Sequence, residues 1–181
     1  MSSLAVFASG TGSNFVALAD ALDVSVLVCD RPEAAVIARA GERGIPVVSV
    51  SPRFFPDKAA YEAALLRCLE HYRIDFVALA GYMRLVGPTL LGAYGGRIVN
   101  IHPSLLPAFP GAHAISEAHA ARVSETGVTI HFIDEGIDTG PVIAQQAIAI
   151  DPAWTLDQLE EQIHRVEHKL YPQVLAGLVG N

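Results

Sequence analysis

The chain has 181 residues, 51% hydrophobic and 17% charged, a length and balance that suit one well-filled domain and exclude wholesale disorder. Its formal charge of −7, without any block of Lys and Arg, argues against binding nucleic acid through the phosphate backbone, so an anionic ligand must be held locally. Two distant cysteines, Cys29 and Cys68, offer neither a disulfide framework nor zinc spacing, and there is neither a basic leader nor an apolar run of roughly 18 residues; the expected setting is a soluble, cytoplasmic protein with no membrane partner.

In chain order, apolar runs at Leu4–Ala8, Val24–Cys29, 47–50 and 76–80 read as strands, separated by helical patterns near 14–22, 33–43 and 57–72. The third helix is marked by Tyr61, Leu65, Cys68, Leu69 and Tyr72, which share one face. The strands carry few polar residues, as expected of a parallel sheet covered on both faces. A short helical piece around 88–93 leads to a strand ending at Asn100, and residues 103–112, with three prolines and a glycine, predict an irregular functional loop. A short helix follows from about 113 to 122. The β-prone runs 128–133 and 142–150 flank a polar turn, which predicts an antiparallel connection. Thr155 and Gln158 have capping-box spacing before a last helix whose buried stripe is Leu156, Leu159, Ile163, Val166 and Leu170, and Pro172 is expected to bend or interrupt it. The predicted architecture is one α/β domain over 1–181: a doubly wound, mostly parallel Rossmann-like sheet with helices on both faces and an antiparallel C-terminal strand region.

Several segments carry chemistry. Ser9-Gly10-Thr11-Gly12-Ser13-Asn14 follows the first strand and opens the first helix, where free amides and the helix dipole favour an anion such as phosphate. It reads equally as a tight turn with Ser13 or Asn14 as helix cap. The dinucleotide fingerprint lacks its third glycine and no Walker lysine follows, which favours a monophosphate over NAD or ATP. Asn100 and His102 lie two apart on an extended segment and project to one side. An amide there can donate to a developing oxyanion, and an imidazole can carry a proton near neutrality. Asp138, in the turn Asp134-Glu135-Gly136-Ile137-Asp138-Thr139-Gly140, is the candidate acidic partner for His102, turn chemistry alone being the alternative. His131 sits inside a strand, and no His pair has zinc-enzyme spacing, so no metal is expected. His164 and Glu167, three apart on the last helix, share a face beside the stripe, either to meet a ligand or as a solvated surface. Gly81-Tyr82-Met83-Arg84-Leu85-Val86 follows the fourth strand, on the rim where the carboxyl ends of parallel strands form a crevice, although its aliphatic residues also suit a core.

Together these segments closely resemble the phosphoribosylglycinamide formyltransferases, the folate-dependent enzymes of purine synthesis. The resemblance spans almost the whole chain, through Gly10-Thr11-Gly12-Ser13-Asn14, Ala80-Gly81-Tyr82-Met83-Arg84, Asn100-Ile101-His102-Pro103-Ser104-Leu105-Leu106-Pro107, Gly127–Phe132, Asp138-Thr139-Gly140-Pro141-Val142-Ile143 and Glu167-His168-Lys169-Leu170-Tyr171-Pro172, in that order. It implies that 10-formyltetrahydrofolate donates a formyl group to the glycinamide amine of 5-phosphoribosylglycinamide. On it, Asn100, His102 and Asp138 match the catalytic trio. Gly12, Ser13 and Asn14 match the substrate-phosphate loop, and His164, Arg165, Val166 and Glu167 the segment beside the ribose. Met83, Arg84, Leu85 and Val86, with Asn100, Asp134, Glu135, Gly136, Ile137 and Asp138, match the lining of the folate pocket. The resemblance implies a phosphate-binding half over about 1–100, a folate and catalytic half over about 80–181, and a monomer or homodimer.

Two positions depart from the pattern: Lys58 stands where relatives commonly carry an arginine that touches folate, and His164 is often another polar residue. Formyltetrahydrofolate deformylase shares the trio but transfers the group to water and usually has an extra N-terminal domain; methionyl-tRNA and sugar-nucleotide formyltransferases usually carry C-terminal additions. A non-catalytic folate- or phosphate-binding module is the reading from another class. A nicotinamide dehydrogenase would rely on Asp30 at the end of the second strand.

Overall fold

A computed structural model describes residues 2–180. Its strands are β1 (Leu4–Ala8), β2 (Val24–Cys29), β3 (Val47–Ser49), β4 (Phe76–Leu79), β5 (Ile98–His102), β6 (Glu125–Phe132) and β7 (Val142–Ala149). They form one sheet in the order β3-β2-β1-β4-β5-β6-β7. The pairs from β3 to β5 are parallel, and β5–β6 and β6–β7 are antiparallel. The helices are α1 (Ser13–Ala21), α2 (Ala35–Glu42), α3 (Lys58–His71), α4 (Pro88–Tyr94), α5 (Ala114–Ala120) and α6 (Leu156–Val179), with a single 3₁₀ turn at Pro52–Phe54. The doubly wound sheet with an antiparallel C-terminal region is thus the one expected. Among the described residues no helix is long and apolar enough to cross a membrane.

Alternation along each strand splits the core in two. Leu4, Val6 and Ala8 of β1 face Phe15 and Leu18 of α1, Val36 of α2, and Leu159 and Ile163 of α6. Ala5 and Phe7 face the other way, with Val26 and Val28 of β2, onto Tyr61, Leu65 and Leu69 of α3 and Leu90 and Tyr94 of α4. Burial on both faces explains why β1 is wholly apolar; each Leu or Phe taken fully from water contributes about 1.5–3 kcal/mol. Asp57 caps α3 by accepting the Ala60 N–H at 2.8 Å, and the capping box of Thr155 and Gln158 is present at α6.

Several boundaries move. β5 continues two residues beyond Asn100, so His102 belongs to the strand rather than to the loop; antiparallel pairing of His102 with Thr129 on β6 extends it. β6 starts at Glu125, three residues early, because it pairs with the far end of β7. Pro172 does not interrupt α6, which runs 24 residues. Tyr171 beside it is fully buried, and its hydroxyl donates to the carbonyls of Leu79 and Val99, pinning that turn to the ends of β4 and β5. The buried positions of α6 recur every four residues, at Leu159, Ile163, Glu167, Tyr171, Leu175 and Val179, along one ridge, while Leu156, Val166 and Leu170 are half-buried. Glu167 therefore lies within the buried ridge and not beside it.

Candidate active site

At the carboxyl ends of β1 and β4 the connections turn to opposite faces, which opens a crevice in sheets of this order. Ser9 and Gly81 meet there, the Ser9 N–H donating to the Gly81 carbonyl at 3.1 Å. On the β1 side, Gly12 is the N-cap of α1 at φ +79, a left-handed backbone that favours glycine. A Cβ there would also lie 2.7 Å from Val36 Cβ. Neither Ser13 nor Asn14 caps the helix; both lie inside it, and no side chain engages its first turn. The opening amides of α1 thus remain for an anion.

Asn14 points across to α6. Its Nδ2 donates to Glu167 Oε2 at 3.3 Å, and the same oxygen lies 2.8 Å from His164 Nδ1. That hydrogen bond to Glu167 raises the His164 pKa above its ordinary value, outweighing the opposing effect of burial. The other two predicted neighbours take different partners: Arg165 pairs with Glu161 at 2.5 Å on the surface, and Val166 packs against the core.

The centre of the site is built on β5 and β6. His102, 5% exposed, has Nε2 at 2.7 Å from the Phe109 carbonyl and Nδ1 at 3.5 Å from Asp138 Oδ2. Both ring nitrogens thus face oxygen atoms, which fixes the plane of the ring. Asp138 sits at φ +54, a left-handed conformation costing of order 1 kcal/mol for a non-glycine residue. Its Oδ2 also accepts the Gly111 N–H at 2.8 Å, and its Oδ1 lies 3.7 Å from His131 Nε2. Register pairs Asn100 directly with His131, and Asn100 Nδ2 comes within 3.4 Å of His131 Nε2. His131 Nδ1 lies 2.9 Å from the Phe132 carbonyl, and the contact at its Nε2 steadies the Asn100 amide, which has a second N–H for a ligand.

The loop after β5 is held by more than its prolines. Thr129 donates to the Ser104 carbonyl at 2.7 Å and accepts the Leu106 N–H at 3.0 Å, while Gln145 donates to the Leu106 carbonyl and to Thr129, each at 2.9 Å. Strand register brings these partners, with His131, to the loop; the resemblance over Gly127–Phe132 covers Thr129 and His131 without giving either this role, and Gln145 carries no signal in the sequence.

Two segments flank the centre with uncovered apolar side chains: Met83 is 66% exposed, Leu85 63% and Ile137 56%. Large apolar side chains left exposed beside a crevice are the kind that a ligand covers. The 134–138 turn is built by Asp134, which accepts from the Gly136 N–H and the Thr139 hydroxyl; those bonds hold its pKa below the usual carboxylate range. A cavity of about 460 Å³ opens beside this turn, lined by Ile133, Asp134, Glu135 and Gly136 and, from the α4 region, by Leu91 and Gly95. Val86 packs against the α3–α4 core, and Lys58 lies beside Gly87 at the end of the same segment. Arg84 turns back to Asp30, Nε to Oδ2 at 2.7 Å. Asp30 is 2% exposed and pairs inward with Ser9 and Arg84, so its carboxylate is not presented to a nicotinamide ribose, which counts against the dehydrogenase reading. Among the described residues no group of three or more His, Cys, Asp or Glu side chains is placed to hold a metal ion.

Comparison with known proteins agrees with this geometry. Residues 2–175 match the formyl transferase family model. The chain is 51% identical to phosphoribosylglycinamide formyltransferase of Bacillus subtilis, across 99% of this chain and 96% of that one. It is 42% identical to trifunctional purine biosynthetic protein adenosine-3 of Drosophila melanogaster, across 97% of this chain but 14% of that longer protein. Among solved structures, glycinamide ribonucleotide transformylase 1 from Geobacillus kaustophilus superposes with a TM-score of 0.97 at 58% identity, covering 99% of this chain and 100% of that one. Phosphoribosylglycinamide formyltransferase from Streptococcus pneumoniae TIGR4 does so with a TM-score of 0.97 at 49% identity, over 98% and 99%.

Proposed function

We propose, on the premise that this chain belongs to the formyl transferase family, that it moves the formyl group of 10-formyltetrahydrofolate to the glycinamide amine of 5-phosphoribosylglycinamide in purine synthesis. One observation carries the reading: the Asp138 carboxylate lies between His102 and His131, with Asn100 held by His131 on the same strand pair. That set supplies an oriented donor and a proton carrier and requires no nucleophilic side chain, which suits transfer of a small uncharged acyl group between two nitrogens.

In this mechanism the amine nitrogen adds to the formyl carbon, forming the new C–N bond. Asn100 donates to the oxygen as charge develops on it. His102 delivers a proton to the departing folate nitrogen as the old C–N bond breaks, and the proton lost by the amine restores the imidazolium. Asp138 orients that ring and faces the charge it carries as the proton moves. Gly12, Ser13 and Asn14 anchor the substrate phosphate with the amides of α1, and Glu167, steadied by Asn14 and His164, takes the ribose hydroxyls. Met83, Leu85 and Ile137 suit a flat heteroaromatic ring, with Asp134, Glu135 and Gly136 at its edge. The half over about 1–100 thus carries the phosphate anchor and that over about 80–181 the catalytic trio and the folate wall, in one domain. We place the reaction in the cytoplasm, performed by a monomer or homodimer.

The test is to mix purified protein with 5-phosphoribosylglycinamide and 10-formyltetrahydrofolate and follow tetrahydrofolate release. Amine-dependent release is expected. No release above background overturns the reading, and release that ignores the amine replaces it with a deformylase.

A further inference from the structure

The segment 83–87 carries two exposed apolar side chains on a loop between β4 and α4, and a loop that presents Met83 and Leu85 to water needs its backbone fastened elsewhere. Two buried carboxyl groups do this. At the near end, Ser9 Oγ accepts the Met83 N–H at 2.9 Å and donates to Asp30 Oδ1 at 2.5 Å, while Arg84 Nε reaches Asp30 Oδ2 at 2.7 Å. At the far end, Glu62 of α3, 2% exposed, accepts the buried Gly87 N–H with Oε2 at 2.7 Å.

Glu62 is an expensive choice for that position. Its Oε1 is buried with no hydrogen-bond partner, a cost that an apolar side chain in the α3–α4 core would not incur. Space is shaped around it too. Gly87 has an ordinary φ of −97, yet a Cβ there would lie 2.6 Å from Glu62 Oε1 and 2.9 Å from Lys58 Cε. A Cβ at Gly87 would therefore press on the Glu62 carboxyl and the Lys58 chain, side-chain ends that must move aside to admit it. Gly87 is also the N-cap of α4 and has no side chain of its own to offer, so Glu62 supplies from another helix the oxygen that meets this end of α4.

We propose that Glu62, acting on Gly87, and Asp30, acting through Ser9 and Arg84, are positioning residues that clamp the two ends of segment 83–87 and so set the affinity for the folate donor without touching it. The proposal rests on the formyl-transfer reading, in which that segment forms the donor wall. It follows that loosening either end raises KM for 10-formyltetrahydrofolate selectively. The acceptor amine, held by α1 and α6 on the other side of β1, is bound as before.

Glu62→Leu removes the acceptor, whereas Glu62→Gln keeps an oxygen at the same reach. The expected result is about a tenfold rise in donor KM for Glu62→Leu, the worth of one buried hydrogen bond, with kcat and the acceptor KM within about twofold of the parent. Glu62→Gln restores the parent value. Gly87→Ala perturbs the same contact from the loop side and gives a similar rise, which keeps the test open should Glu62→Leu fail to fold. Asp30→Asn, which removes the Arg84 ion pair, raises the donor KM likewise. An unchanged donor KM in active Gly87→Ala, or donor and acceptor KM rising together with a fallen Tm, overturns the clamp. Parent enzyme that releases no tetrahydrofolate overturns the formyl-transfer reading itself, a result distinct from active enzyme with an indifferent Glu62.

Discussion

Asp138→Asn isolates charge from shape at the centre of the site. The amide oxygen can still accept the Gly111 N–H, so the loop keeps that bond, and the 134–138 turn keeps the bonds made by Asp134. What is lost is a negative charge 3.5 Å from His102 Nδ1, between side chains only 6% and 12% exposed. At an effective dielectric of about 20, Coulomb attraction at that separation is about 5 kcal/mol. The amide dipole and residual solvent recover part of this, leaving about 3 kcal/mol of lost stabilisation for the imidazolium, on the order of a hundredfold in kcat. Steady-state tetrahydrofolate release at saturating substrates measures it, with a thermal melt as control. A kcat within about threefold of the parent refutes the argument, as does a loss that tracks a lowered Tm and raised KM for both substrates.

Three other substitutions test the frame. Tyr171→Phe removes a hydroxyl that donates to the carbonyls of Leu79 and Val99; a urea titration is expected to show a loss of about 1–3 kcal/mol while kcat holds, and an unchanged midpoint would refute the anchoring role. Gly12→Ala meets both a φ of +79 and Val36, so the KM for the phosphorylated amine rises and stability falls by about 1–2 kcal/mol; unaffected KM would exclude the α1 opening as the phosphate anchor. The His164 pKa lies above its unfolded value because of Glu167, so its stabilisation is complete below about pH 6.5 and disappears as pH rises through the folded value. Melts of parent and His164→Gln across pH 5.5–9, roughly that window, should converge at the alkaline end and separate at the acid end; parallel curves would sink the pairing.

Much of the architecture is legible because it depends on local pattern. Leu4–Ala8 and Val24–Cys29 are apolar on both faces, which only a covered parallel sheet accommodates, and the spacing of Asn100 and His102 places both on one side of a strand whatever the strand pairs with. The Gly12 turn is similarly local, although only the folded chain shows that Gly12 itself, and neither Ser13 nor Asn14, takes the N-cap position. Pro172 shows the limit of local rules: its tendency to break a helix yields to Tyr171, whose buried hydroxyl holds the same turn against the sheet.

The amino-acid order by itself determined the sheet, its helices and the candidates for the reacting groups, since periodicity and residue chemistry act within a few positions along the chain. Only the tertiary structure decided who orients those groups. His131 meets Asn100 through the β5–β6 register, 31 residues apart, and Glu62 reaches Gly87 from a separate helix. Asp30 turns from a free acidic strand end into the partner of Ser9 and Arg84. These contacts arise from chain-distant elements packing at one crevice, where a buried polar atom must find its partner across space and not along the sequence.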